Sequence, residues 1–203
     1  MRSQSVAWKD VAVTSVASPL EEHRVRALPS RDERRWVREA QSGSAEALER
    51  LFRAHWPGAH RAAYLVVHDA AAAEDIAQES FLAAVRALDR FDRRRPFAPW
   101  LHRIVVNRAI DWARARMLRR ELAADAAPEP AAQEPAGGGR ADELAAGLAV
   151  LAPEHRAVIV LRYLLDYSPG EIAELLELPR GTVNSRLRRG LDRLQAELRE
   201  RDE

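Results

Sequence analysis

Apolar residues recur at helical spacing along most of this chain, and the pattern stops at a few sharp breaks. From Asp32 a helical run carries Trp36, Val37 and Ala40, then halts at Ser42-Gly43-Ser44. Ser44 is placed to N-cap a helix holding Ala47, Leu48, Leu51 and Phe52, because its hydroxyl can accept an unpaired first-turn amide. Pro57-Gly58 predicts an interruption, followed by another helix with Ala62, Ala63, Leu65 and Val66. The clearest amphipathic segment is AEDIAQESFLAAVRALDRF, from Ala73 to Phe91. Ala77, Phe81, Val85 and Leu88 fall on one predicted face, with Asp75, Gln78, Glu79 and Leu82 on others. Pro96 and Pro99 break the pattern, and a long helix is expected from Leu101 to about Leu122.

A second patterned region follows a change in composition. The stretch AADAAPEPAAQEPAGGG offers nothing to bury, so residues 123–140 are expected to form an Ala/Pro/Gly linker. Residues 1–31 show no sustained period and are expected to be a disordered or loosely attached extension. Two small helical domains result, 32–122 and 141–203, and the expected class is all-α. In the second, helical runs cover 142–150 and 153–165, with Pro153 in a first turn. Ser168-Pro169 opens a short helix burying Ile172, Leu175 and Leu176. Pro179 ends it, and a further helix runs to about Leu198. Two helices joined by so short a turn make a helix-turn-helix. In the second of them Val183, Leu187, Leu191, Leu194 and Leu198 form a predicted seam. The opposite side presents Thr182, Ser185, Arg188 and Arg189, flanked by Asn184 and Arg186. Hydroxyls and arginines without interleaved acids suit phosphate contact and base-edge reading better than a solvated face does.

Composition narrows the alternatives. Aromatics are only 6% of residues and cysteine is absent, so the cores are aliphatic, and disulfides and thiolate metal sites are excluded. The net charge of +1 hides segregation. From Asp69 to Asp92, acids outnumber arginines, while Arg93 to Arg120 holds Asp111 as its single acid. Such asymmetry suggests one face for a basic partner and another for an acidic one. No metal-binding histidine pair, nucleophile elbow or phosphate loop is present, so no catalytic residue, metal or cofactor is expected. No run approaches the roughly 18 apolar residues of a membrane span, and Val11 to Leu20 is a weak candidate leader. A cytoplasmic protein without membrane insertion is expected. Two readings of these residues fit: a stand-alone helix-turn-helix regulator and a structural helical adaptor.

EIAELLELPRGTVNSRLRRGLDRL resembles the DNA-reading region of sigma-70-family factors, specifically the small extracytoplasmic-function group. AEDIAQESFLAAVRALDRF followed by RPFAPWLHRIVVNRAIDWARAR resembles that family's conserved N-terminal region. The resemblance implies a sigma factor that binds core RNA polymerase and directs promoter-specific initiation. By it, Asp75, Gln78 and Glu79 match positions that dock on the β′ clamp helices, and the β subunit is a further contact. Arg93, Arg94, Arg95, Phe97, Asn107, Trp112, Arg114, Arg116, Arg119 and Arg120 fall in the −10-reading and melting element. Melting needs cations plus apolar faces for unstacked bases. Trp100, at the helix start, reads rather as core. Arg180, Thr182, Asn184, Ser185, Arg186, Arg188 and Arg189 match the −35-reading helix. Small members are commonly held by an anti-sigma factor, so the resemblance implies that partner class too. Two departures stand out: Glu177 occupies the usual turn glycine, and Pro169-Gly170 replaces larger polar residues.

Overall fold

The computed structural model describes residues 30–123 and 146–202. The expected N-terminal extension up to residue 29 and the expected linker from 124 lie outside the described residues, as does Leu144. Among the described residues the regular elements are helices and there is no strand. Helices α1 (Arg31–Gln41), α2 (Ala45–Val67), α3 (Ala70–Ala87) and α4 (Phe97–Ala123) form the first unit. A 3-10 turn, Leu88–Arg90, follows α3. Helices α5 (Pro153–Tyr163), α6 (Pro169–Leu176) and α7 (Arg180–Asp202) form the second.

Local chemistry explains the boundaries. Ser30, Ser44 and Asp69 cap α1, α2 and α3 by accepting from Glu33, Ala47 and Ala72 amides. Ser168 and Glu171 form a reciprocal capping box at α6. Three non-glycine residues take positive φ where helices end: His68, Asp166 and Glu177. Glu177 holds φ 53° and ψ 44°, so the helix-turn-helix turns on a left-handed glutamate.

Two expectations about prolines need correction. Pro57 does not interrupt a helix; α2 runs through it. The residue is exposed, so the Arg53 carbonyl it leaves unpaired faces water, and packing against α1, α3 and α4 holds the helix together. Pro99 likewise lies inside the first turn of α4, where an amide has no helical partner anyway.

Two predicted seams also shift by one residue. In α3, Val85 is 45% exposed and Ala84 is 1%, so the buried line runs Ala77, Phe81, Ala84, Leu88. In α7, Leu191 is 37% exposed, and the buried line passes from Val183 and Leu187 through Gly190 toward half-buried Leu194. The side chain of Leu198 lies outside the described set. The cause is the same in both: a four-residue step advances about 40° beyond a full turn, so two in succession rotate a side chain out of the core. A three-residue step restores it.

The two units share one apolar core. α5 packs on α7 but also on α2 and α4, and α6 packs on α4. Buried side chains continue from Leu65, Val66, Leu101 and Val105 into Leu148, Val158, Leu161 and Ile172.

Candidate nucleic-acid interface

The turn at Glu177 sets the presentation of α7. The Leu178 amide donates to the Ala173 carbonyl at 2.9 Å, closing α6 before Pro179 starts the next helix. At the other end of the contact, Gly190 lies against α5. A Cβ there would sit 3.2 Å from Ile159 Cγ1, so the two helices approach too closely for a larger residue. With Val183 and Leu187 buried, Arg180, Asn184, Arg188 and Arg189 are exposed, and Thr182, Ser185 and Arg186 are half-buried. Arg180, Arg188 and Arg189 form no ion pair with any described residue. The Ser185 hydroxyl donates 2.9 Å to the Thr182 carbonyl, which leaves its own lone pairs free to accept. The face is thus cationic, hydroxyl-bearing and mounted on a fixed helix, which suits insertion beside a duplex.

The first unit places its predicted residues less uniformly. Arg93, Arg94 and Arg95 are exposed in a tight turn. Asp92 accepts from the Arg94 amide and from Arg94 Nε, both at 3.0 Å, which pins Arg94 and leaves Arg93 and Arg95 outward. Gln41 Nε2 anchors the start of this loop by donating to the Leu88 and Phe91 carbonyls at 3.0 and 2.9 Å. Phe97 is corrected from base-stacking surface to core. It is 3% exposed and is packed by His55, Phe91 and Trp100 at centroid distances of 5.0, 5.7 and 5.5 Å. Trp100 belongs to the same cluster, as expected.

Along α4, Asn107 is exposed and Trp112 half-buried. Arg116 lies 5.1 Å over the Trp112 ring and pairs with the Asp69 cap at 2.6 Å. That geometry makes Arg116 a brace between α4 and α3 rather than a free phosphate contact. Burial works against the Asp69 charge, but the Ala72 amide and Arg116 outweigh it and hold its carboxyl below the ordinary range. Arg114 pairs with Glu154 of the second unit. Burial raises the Glu154 carboxyl, yet its own backbone amide, Arg114 and Arg186 together bring it below the usual value. Arg119 and Arg120 are exposed at the helix end.

On α3 the acidic face is open. Asp75, Gln78 and Glu79 are exposed. Gln78 donates to Glu74 at 3.1 Å, Glu79 pairs with Arg108 at 2.8 Å, and Asp75 has no described ionic partner. Beside them Phe52, Leu82 and Val85 line an open apolar groove of about 400 Å³ between α2 and α3. No group of histidines, cysteines or acids able to hold a metal occurs among the described residues. No described helix is long and apolar enough to cross a membrane.

Sequence reasoning missed Arg103, Arg108, Glu154, Arg156 and Gly190. A glycine in the middle of a strong helix, as Gly190 is, was a usable signal for close packing. The others depend on partners far away in the chain.

The chain matches the family model for sigma-70 region 2 over residues 51–119 and that for sigma-70 region 4 over residues 141–194. It is 30% identical to the ECF RNA polymerase sigma factor SigW of Bacillus subtilis, covering 81% of this chain and 95% of that one. It is 34% identical to SigM of Mycobacterium tuberculosis over 75% of this chain and 78% of the relative. Among solved structures, CnrH in complex with the cytosolic domain of CnrY superposes with a TM-score of 0.63 at 31% identity, covering 83% of this chain and 98% of CnrH. The chain belongs to the extracytoplasmic-function sigma factors of the sigma-70 family, and directs promoter-specific transcription initiation through RNA polymerase.

Proposed function

We propose a division of labour among three helices. α3 docks on the β′ clamp helices through Asp75, Gln78 and Glu79, with Phe52, Leu82 and Val85 as an apolar rim. A carboxylate–amide face beside an exposed apolar groove suits a basic, partly apolar protein surface. α7 reads the −35 duplex through Arg180, Thr182, Asn184, Ser185, Arg186, Arg188 and Arg189, and the second unit rests on the β subunit. The loop Arg93–Arg95 and the exposed part of α4, with Asn107, Trp112, Arg114, Arg119 and Arg120, read and open the −10 element. No covalent step is involved: binding energy is spent on unpairing DNA. The protein works in the cytoplasm, where polymerase does. CnrH was solved with the cytosolic domain of CnrY, and an equivalent anti-sigma partner for this chain is part of the reading.

The observation that carries it is the trio Arg180, Arg188 and Arg189, exposed and without ionic partners opposite a buried seam. A structural adaptor has no use for such a face, and a stand-alone regulator has none for the acidic one. Co-purification with core polymerase tests the docking half. D75K/E79K should reduce recovery at least tenfold while keeping the helical circular-dichroism spectrum. Recovery equal to wild type would remove α3 from the interface.

A further inference from the structure

The loop read above as meeting the −10 element hangs from a closed base. Phe91 and Phe97 are both buried with ring centroids 5.7 Å apart, and Trp100 lies 4.6 Å from Phe91. Asp92 to Pro96 project between them, and Asp92 to Arg95 are exposed. Charged side chains facing water give such a loop nothing of its own to pack, so its shape has to come from hydrogen bonds. Two residues supply them. Asp92 folds the tip. Its carbonyl accepts from the Arg95 amide at 2.9 Å and its Oδ1 from the Arg94 amide at 3.0 Å, an Asx-turn within a β-turn. The Arg94 guanidinium and amide hold the Asp92 carboxyl below its ordinary range, so it is a full acceptor at neutral pH.

Gln41 sets where that tip stands. It ends α1, outside the segment 51–119 that matches the family model, and lies 47 residues from Leu88 in the chain. Its amide has two protons, and both are used, one on the Leu88 carbonyl and one on the Phe91 carbonyl. The Phe91 carbonyl belongs to the planar peptide that leads into Asp92, so fixing that oxygen fixes the direction in which the loop leaves the core. We infer that Gln41 and Asp92 are positioning residues for −10 reading: they hold Arg93 and Arg95 outward in one preformed loop and so set the −10 preference without touching DNA. A preformed reader gives up less conformational freedom on binding. It also discriminates, because its arginines cannot shift to accommodate a wrong base. An apolar side chain at position 41 leaves both carbonyls without this donor and lets the loop hinge at Phe91.

This inference rests on the reading of the Arg93–Arg95 loop as a −10 contact, and the test separates the two. Hydrogen exchange on the full chain, followed by mass spectrometry, reads the anchor. Run-off transcription with core polymerase, over a promoter library randomised at both elements, reads the preference. Q41M keeps the side-chain length and loses both donors. Its exchange across residues 88–96 should rise several-fold, and its −10 preference should broaden while its −35 preference stays. Q41K, whose ammonium can donate to the same carbonyls, should keep more of both than Q41M. D92A should act as Q41M does, whereas D92N still offers an oxygen to the Arg94 amide and should resemble wild type. V37A weakens the α1 core, where Val37 is buried, and should leave both preferences intact. Unchanged exchange in Q41M overturns the anchor, and D92N behaving as D92A removes Asp92 from the role. Faster exchange with an unchanged −10 preference overturns positioning, as does equal broadening at −35 or broadening by V37A. R93A/R95A tests the underlying reading: an altered −10 preference supports it, and an unchanged one refutes it even where exchange shows the anchor.

Discussion

Arg156 Nη1 donates 2.6 Å to the carbonyl of Val66, 90 residues earlier in the chain. Val66 lies in the last turn of α2, where carbonyls lack helical partners and the helix dipole is negative. The same guanidinium donates to the Ala149 and Leu151 carbonyls at 3.0 and 2.9 Å. One buried cation thus closes a helix end in the first unit and the entry to α5 in the second. Burial pushes its pKa down to about 10, so it stays charged at neutral pH.

Removing this side chain strands three carbonyls. R156M should cost about 3 kcal/mol, since each buried unpaired group costs roughly 1–3 kcal/mol and some will find water. R156K, with one compact ammonium, should lose less. Urea denaturation checks both, and wild-type stability in R156M would contradict the bracing role.

Two glycines of α7 should respond in opposite directions. Gly181 has nothing within 4 Å of the place a methyl group would take, so G181A should gain about 0.5 kcal/mol from helix propensity. Gly190 faces Ile159 at 3.2 Å, so G190V should lose roughly 1–3 kcal/mol by overpacking. Thermal unfolding distinguishes them.

Asp69 ties acid stability to the α3 cap. Its carboxyl is held below its ordinary 3.8, so its contribution is present above about pH 4 and is lost as pH falls through the lower folded value. D69N should therefore be less stable than wild type at pH 7, by about 1 kcal/mol, and the gap should shrink below pH 4. A gap that persists undiminished at pH 2 would contradict this.

Much of this arrangement was legible in the chain. Ser44, Ser168 and Pro153 marked helix starts because caps act within four residues. The exposed arginines of α7 were legible for the same reason, since a helix fixes opposite faces by spacing alone. Val85 and Leu191 were misplaced because successive four-residue steps overrun a straight helix. Phe97 was misread because an aromatic beside arginines fits base stacking and core equally, and only Phe91, His55 and Trp100 decide it. Arg156 with Val66 and Arg103 with Glu177 carried no local signal, as partners 90 and 74 residues apart meet through the fold.

Single side chains of α7 should set the base preference. Arg188 and Arg189 are exposed and unpaired among the described residues, and an arginine reading guanine bidentately is worth about 1–3 kcal/mol of discrimination. R189A should weaken promoter-specific initiation by that amount and relax one −35 position. Substitutions of Arg119 and Arg120, placed to track phosphates, should lower affinity uniformly across sequences and reduce its salt dependence.

The most direct measurement is run-off transcription by purified core polymerase over a promoter library randomised at the −35 and −10 elements. Wild-type protein should yield transcripts from a defined sequence set. R189A should broaden preference at −35 alone, N107A at −10 alone, and D75K/E79K should abolish transcription. Absence of wild-type transcripts, or R189A preferences identical to wild type, would contradict the assignment of α7 as the −35 reader of a polymerase-bound initiation factor.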